Sequence, residues 1–111
     1  MNWNKITSLS ELGDINIESN NIKVLLFKHS TRCSISSAAL NRIESNWKEL
    51  DSQKIKPYYL DLLQHRDVSN QIAKMYQIEH QSPQLLLIEN GKCIYSETHN
   101  GIRYDELFTL Q

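Results

Sequence analysis

Residues 24–36 read Val-Leu-Leu-Phe-Lys-His-Ser-Thr-Arg-Cys-Ser-Ile-Ser, an apolar run that stops at hydroxyl residues and passes into a helical pattern with Cys33 at its start. Ile22 to Phe27 is too short and too apolar for anything but a buried strand. The segment is therefore a strand-to-helix junction that carries a thiol. A helix N-terminus presents unpaired backbone N–H groups and partial positive charge, which favours the thiolate of a cysteine in the first turn, the form that attacks disulfides. A free cysteine is more commonly a small buried hydrophobe. Here Ser30, Thr31, Arg32, Ser34 and Ser36 argue against burial, and Lys28, His29 and Arg32 can add positive potential.

The rest of the chain excludes several competing chemistries. With 111 residues, 40% of them hydrophobic and 23% charged, a single domain spanning 1–111 can build its core without disulfide staples. A formal net charge of −1 with interspersed signs offers no basic face for phosphate backbones, so nucleic acid is not an expected partner. No apolar stretch reaches membrane-spanning length, and Met1 to Lys5 lacks the apolar region of a secretory signal, so no membrane partner and a cytoplasmic location are expected. Cys33 and Cys93 make neither a disulfide framework nor a zinc pattern, and His29, His65, His80 and His99 are dispersed, so no metal site is expected. Asp61 and Asp67 give no paired-carboxylate signal, and neither a phosphate-binding glycine loop nor a nucleophilic serine motif is present.

Taken in order, Ser8 followed by Glu11 forms a capping pattern for a short first helix, which should end by Glu18 to Asn21. Trp3, Ile6, Leu9 and Leu12 are expected on the core. After the first core strand, Ile35, Ala39, Ile43, Trp47 and Leu50 follow helical spacing and predict a helix from Ser34 to Leu50. Ile55 to Leu62 reads as a second strand with Pro57 near its start, and strand, helix, strand in succession implies a right-handed crossover with parallel pairing. Asp67 can cap a third helix whose apolar face is Val68, Ile72, Met75 and Tyr76. Ser82-Pro83 then enters the buried strand Gln84 to Ile88, and Asn90-Gly91 predicts a hairpin to Lys92–Ser96. Asp105 to Leu110 closes the chain as a short helix with Tyr104, Leu107 and Phe108 facing inward. The order defines a small α/β domain with helices on both faces of the sheet.

Two local sequences carry a family resemblance. Phe27-Lys28-His29-Ser30-Thr31-Arg32-Cys33-Ser34-Ile35-Ser36 resembles the Lys-His-Ser-Thr-x-Cys-Pro-Ile-Ser segment of the YtxJ-like monothiol bacilliredoxins, members of the thioredoxin superfamily. Ser82-Pro83-Gln84 resembles that family's proline segment, and Trp3 to Leu12 is similar too, so the likeness runs over nearly the whole chain. The resemblance implies a thioredoxin-like fold with a central mixed four-stranded sheet flanked by helices. It also implies a cis Ser82–Pro83 bond that sets Ser82 backbone groups beside Cys33 to align an incoming disulfide.

The activity implied is removal of bacillithiol, a low-molecular-weight thiol, from S-bacillithiolated cytosolic proteins. Catalysis would rest on Cys33, with Thr31, Arg32, Ser34, Ser36, Ser82 and Pro83 around the substrate, no tightly bound cofactor, and bacillithiol as co-substrate. Ser36 stands where a two-cysteine motif has its second thiol, so the chain looks monothiol. Ser36 is open to two readings, a hydrogen bond to the Cys33 sulfur or a solvated or capping serine. Cys93 reads as a structural cysteine, with a resolving role as its competitor. Ser34 replaces the family's usual proline, which adds a backbone N–H near the thiol and loosens the helix start. The alternative to an enzyme is a thioredoxin-like binding module whose cysteine is inert and whose Pro83 loop docks a partner.

Overall fold

The computed structural model describes residues 1–108; Leu110, expected in the closing helix, falls outside the described residues. Among the described residues, five strands and three helices follow the order β1 (Asn4–Lys5), α1 (Leu9–Glu18), β2 (Lys23–His29), α2 (Ser34–Asn46), β3 (Ile55–Asp61), α3 (Arg66–Tyr76), β4 (Gln84–Glu89) and β5 (Lys92–Thr98). Short 3-10 turns occupy Glu49–Gln53, His99–Gly101 and Asp105–Phe108. The sheet has the spatial order β1-β3-β2-β4-β5, with β1, β3 and β2 parallel, β4 antiparallel to β2, and β5 antiparallel to β4. It is mixed, as expected, but five-stranded rather than four-stranded. The additional strand is the two-residue β1, pinned by Asn4 Nδ2 to the Pro57 carbonyl and by the Ile6 N–H to the Tyr59 carbonyl. So short and polar an edge leaves no periodic trace in sequence.

β2 is the axis of the fold, since both its neighbours hydrogen-bond to it and helices cover both faces. Val24 and Leu26 join Leu12, Ile15, Val68 and Ile72 on the side of α1 and α3. Leu25 and Phe27 join Ala39, Ile43 and the closing Leu107 on the side of α2. Every residue from Val24 to His29 is buried, so this strand reads as a continuous run where a half-exposed strand would alternate with polar residues.

Helix starts follow local chemistry. The Ser8 hydroxyl accepts the Glu11 N–H and donates to the Glu11 carboxylate, the expected capping pattern. Asp67 lies in the first turn of α3, whereas the cap position is His65. The turn before it is already satisfied, because the Asp61 carbonyl accepts from the Gln64 and His65 N–H groups and its carboxylate accepts from Leu63 N–H. At the hairpin, Asn90 and Gly91 both take positive φ, at 52° and 74°. Their N–H groups donate to Ser19, one to its carbonyl and one to its hydroxyl, which ties the turn to the end of α1.

α2 is shorter than its periodicity predicted. It ends at Asn46, where Trp47 turns extended, stacks near Tyr104 and Phe108, and donates from Nε1 to Ser52. The Asp51 carboxylate then accepts the Lys48 N–H and the Tyr104 hydroxyl, starting a separate turn that leaves Leu50 exposed. The buried stripe of α2 is Ser36, Ala39, Ile43 with Leu40 partly covered, the i, i+3, i+4, i+7 pattern with a serine in its first place. Ile35 lies off that stripe at 48% exposure, and Leu9, also expected inside, is equally exposed on α1. Ile43→Ala should therefore cost about 2–5 kcal/mol in urea unfolding, whereas Ile35→Ala should cost about 0.5 kcal/mol or less. Similar losses at both positions would contradict this placement of the helix.

Candidate active site

The sheet ends at His29, and the chain then makes a single turn into α2. The Cys33 N–H donates to the Ser30 carbonyl at 3.1 Å, and the Cys33 carbonyl accepts the Ser37 N–H at 3.0 Å as the first bond of the helix. Cys33 is the N-cap residue, with extended φ and ψ of −112° and 122° and no side-chain capping bond. Its thiol is part-exposed and has no hydrogen-bond partner among the described residues. Thr31, Arg32 and Ser34 are exposed around it. The junction read from sequence thus places a half-open thiol at the positive end of a thirteen-residue helix.

Ser36 has a different place from the one expected. It is fully buried, so it does not reach substrate, and its bonds do not involve the Cys33 sulfur. Its Oγ lies 2.6 Å from Nδ1 of His29 and accepts the Ser30 N–H at 3.0 Å. One buried hydroxyl therefore ties the last residue of β2, the first residue of the loop and the first turn of α2 together. Ser36 is a positioning residue beneath the cysteine loop. The His29 ring packs at 5.5 Å from Tyr59 and 6.2 Å from Phe27, and burial pushes its pKa down against the opposing pull of Asp61 and Glu44. His29 is thus held neutral and adds no charge near Cys33.

Lys28, also expected to contribute positive potential, points to the opposite face of the sheet. It is fully buried, and its Nζ donates to the Ser69 carbonyl of α3 at 3.0 Å. Of the three cations expected around Cys33, Arg32 alone stays on the surface of the cysteine loop. The sequence signal for Lys28 was present: a lysine inside an otherwise unbroken buried strand has to find partners within the protein.

Pro83 stands at the entrance of β4. The antiparallel register pairs Lys28 with Gln84, which brings the start of β4 to the end of β2, at the cysteine end of the sheet. The Ser82–Pro83 bond is cis, as the resemblance implied. The Pro83 carbonyl accepts the His99 N–H at 3.2 Å, and the buried Oγ of Ser82 has no hydrogen-bond partner among the described residues.

Cys93 lies elsewhere. It pairs with Ile88, which pairs with Val24 near the other end of β2, and it packs against the α1 and α3 side. From Val24 to His29 is five residues, about 17 Å at about 3.3 Å per residue. A disulfide needs Cα atoms within about 7 Å. Cys93 is therefore at the opposite end of the sheet and on the opposite face from α2. Its thiol donates to the Tyr95 carbonyl, and burial pushes its pKa up.

This arrangement, a cysteine capping the helix after the central strand and a cis-proline at the entrance of the neighbouring antiparallel strand, defines a thioredoxin-fold oxidoreductase site. Solved structures agree. One described as a proposed oxidoreductase with a thioredoxin fold superposes with a TM-score of 0.81 at 30% identity, covering 96% of this chain and 90% of its own. Malassezia sympodialis thioredoxin superposes at 0.72 with 18% identity, covering 97% and 86% of the two chains. Mitochondrial thioredoxin 3 from Saccharomyces cerevisiae does so at 0.70 with 15% identity over 96% and 91%, and these two likenesses speak to the fold alone. The family profile described as Monothiol bacilliredoxin BrxC matches residues 4–107, and the chain belongs to that family of thiol-disulfide oxidoreductases.

Because Cys93 is bonded and partly buried while the Cys33 thiol is open, iodoacetamide at neutral pH should modify Cys33 about tenfold faster or more. Peptide mapping over time checks this, and equal labelling of the two in the folded protein would count against it. Ser36→Ala leaves the part-buried Ser30 N–H without its acceptor, so unfolding stability should fall by about 1–3 kcal/mol.

Proposed function

We propose that this protein removes bacillithiol from S-bacillithiolated cytosolic proteins by a monothiol mechanism at Cys33. The observation that carries the reading is the isolation of that thiol: Ser36 fills the place of a neighbouring resolving cysteine, and Cys93 lies at the far end of the sheet on the other face.

In the first step the Cys33 thiolate attacks the bacillithiol-side sulfur of the mixed disulfide. The old sulfur–sulfur bond breaks, the protein thiolate leaves and takes up a proton, and a new disulfide joins bacillithiol to Cys33. In the second step the thiolate of a free bacillithiol attacks that disulfide, giving bacillithiol disulfide and restoring Cys33. One disulfide is consumed and one is formed, with no external oxidant or reductant. The part-exposed thiol suits the attack, and the exposed Thr31, Arg32 and Ser34 with the Ser82-Pro83 entrance of β4 form the surface on which the substrate would lie. Arg32 is the cation there, suited to the carboxylate groups of a thiol cofactor or of an acidic target surface.

The mass of the reacted protein tests this. Mixed with a bacillithiolated protein in the absence of free bacillithiol, the protein should accumulate with bacillithiol on Cys33. Cys33→Ala should abolish turnover, and Cys93→Ala should leave it within about twofold. An intramolecular Cys33–Cys93 disulfide in place of the adduct, with turnover lost in Cys93→Ala, would overturn the monothiol reading.

A further inference from the structure

Among the described residues Lys28 is the one fully buried lysine, and none of its partners is a carboxylate. Removing an ammonium from water is costly unless its protons find acceptors, and burial lowers its pKa to about 8. Its acceptors are unusual for their location. One is the Ser69 carbonyl near the start of α3, and the other is Nδ1 of His80, 3.3 Å away, in the segment that leads from α3 into Pro83. The Ser69 hydroxyl lies 3.2 Å from the same nitrogen. Beside it, the Gln84 side chain donates back to the Glu79 carbonyl at 2.9 Å, and Gln84 is the register partner of Lys28 itself.

His80 and Gln81 are exposed, and Ile78 to Gln81 carries no regular structure. The segment is thus a surface connection held to the sheet from below, at Glu79 by Gln84 and at His80 by Lys28 with Ser69. The central strand therefore holds both parts of the site: His29 binds the cysteine loop on one face, and Lys28 reaches the proline segment on the other.

We infer that Lys28 is a positioning residue for the substrate-docking segment, acting through His80 to hold Ser82-Pro83 in the place where an incoming disulfide is aligned against Cys33. The inference rests on the thiol exchange proposed above for what the segment docks. The anchoring itself does not depend on that reading.

The contact requires a neutral His80, because Nδ1 can accept from Lys28 only while it carries no proton. The charged groups facing His80 are Lys28 from β2 and Arg66 from α3, with the Ser69 hydroxyl as a neutral neighbour. Burial and these two cations hold the His80 pKa below the ordinary histidine value, so the ring is neutral at pH 7. As pH falls through that lowered value, the ring takes up a proton, the acceptor is lost and two positive charges face one another. The anchor is therefore present at neutral pH and lost on the acid side.

Two kinds of measurement on the full chain test this, one without substrate. Amide hydrogen exchange of residues 78–84 should speed up about tenfold or more in Lys28→Met and in His80→Ala. His80→Gln, which keeps an acceptor and cannot titrate, should retain wild-type protection. With a bacillithiolated protein as substrate, kcat/KM should drop about tenfold in Lys28→Met and His80→Ala, while alkylation of Cys33 by iodoacetamide stays within about twofold. The ratio of wild-type to His80→Gln kcat/KM should be near one at pH 7.5 and fall below one as pH is lowered toward 5. Should the wild type fail to act on the mixed disulfide while the exchange results hold, the substrate reading is wrong and the anchor stands. Unchanged exchange at 78–84 in both His80→Ala and Lys28→Met would overturn the anchor itself, and His80→Ala, altered at the surface, keeps that outcome accessible if Lys28→Met does not fold.

Discussion

A strand buried on both faces can carry polar side chains at its end only if each finds a partner inside the protein, and β2 carries two in succession. Strand geometry sends neighbours to opposite sides, so Lys28 must be satisfied among α3 and its exit while His29 must be satisfied against α2. Those two requirements shape the cysteine end of the sheet. Ser36 occupies a core position of α2 because a hydroxyl is needed there for His29 and for the Ser30 N–H, and the helix start it fixes is the one Cys33 caps. The Cys33 thiol thus owes its location to a hydroxyl that does not touch it.

The same geometry separates what the sequence could tell from what it could not. The junction, the parallel crossover, the Asn90-Gly91 hairpin and the Ser8–Glu11 cap were all legible, because each rests on contacts between residues close in the chain or on an uninterrupted apolar run. The cis state of Pro83 could not be read from the residues, since a proline at a strand entrance has the same sequence in either isomer; it came from family likeness. Two different causes set the helical stripe of α2 apart from its apolar count: at the start that count passes over a buried serine, and at the end long-range contacts stop the helix. Ser36 belongs to the stripe and Ile35 does not, while Leu50 was added to a helix that Trp47 and Asp51 had already ended through contacts with residues 104 and 108. Strand β1 depends on pairing across more than fifty residues, and nothing in Asn4-Lys5 announces it.

Lys28 and Ser36 share a feature that explains why their roles were hidden. Each is a polar residue whose partner lies on another element, and local pattern assigns such residues to the surface by default. By sequence alone Lys28 belongs to the field at Cys33, and Ser36 to its sulfur, to a cap or to solvent. The pleat of the strand and the rotation of the helix decide both questions, and both are properties of three-dimensional register.

The remoteness of Cys93 has a kinetic meaning. A second thiol held beside the first acts at a high effective concentration, so its attack is unimolecular and indifferent to the surrounding solution. A thiol at the opposite end and face of a sheet has no such concentration at Cys33. Whatever frees Cys33 from a mixed disulfide must arrive by diffusion, and the lifetime of that disulfide is inversely proportional to the supply of the arriving thiol. On the proposed mechanism, the occupancy of one sulfur atom becomes a measure of how much reduced small thiol surrounds it.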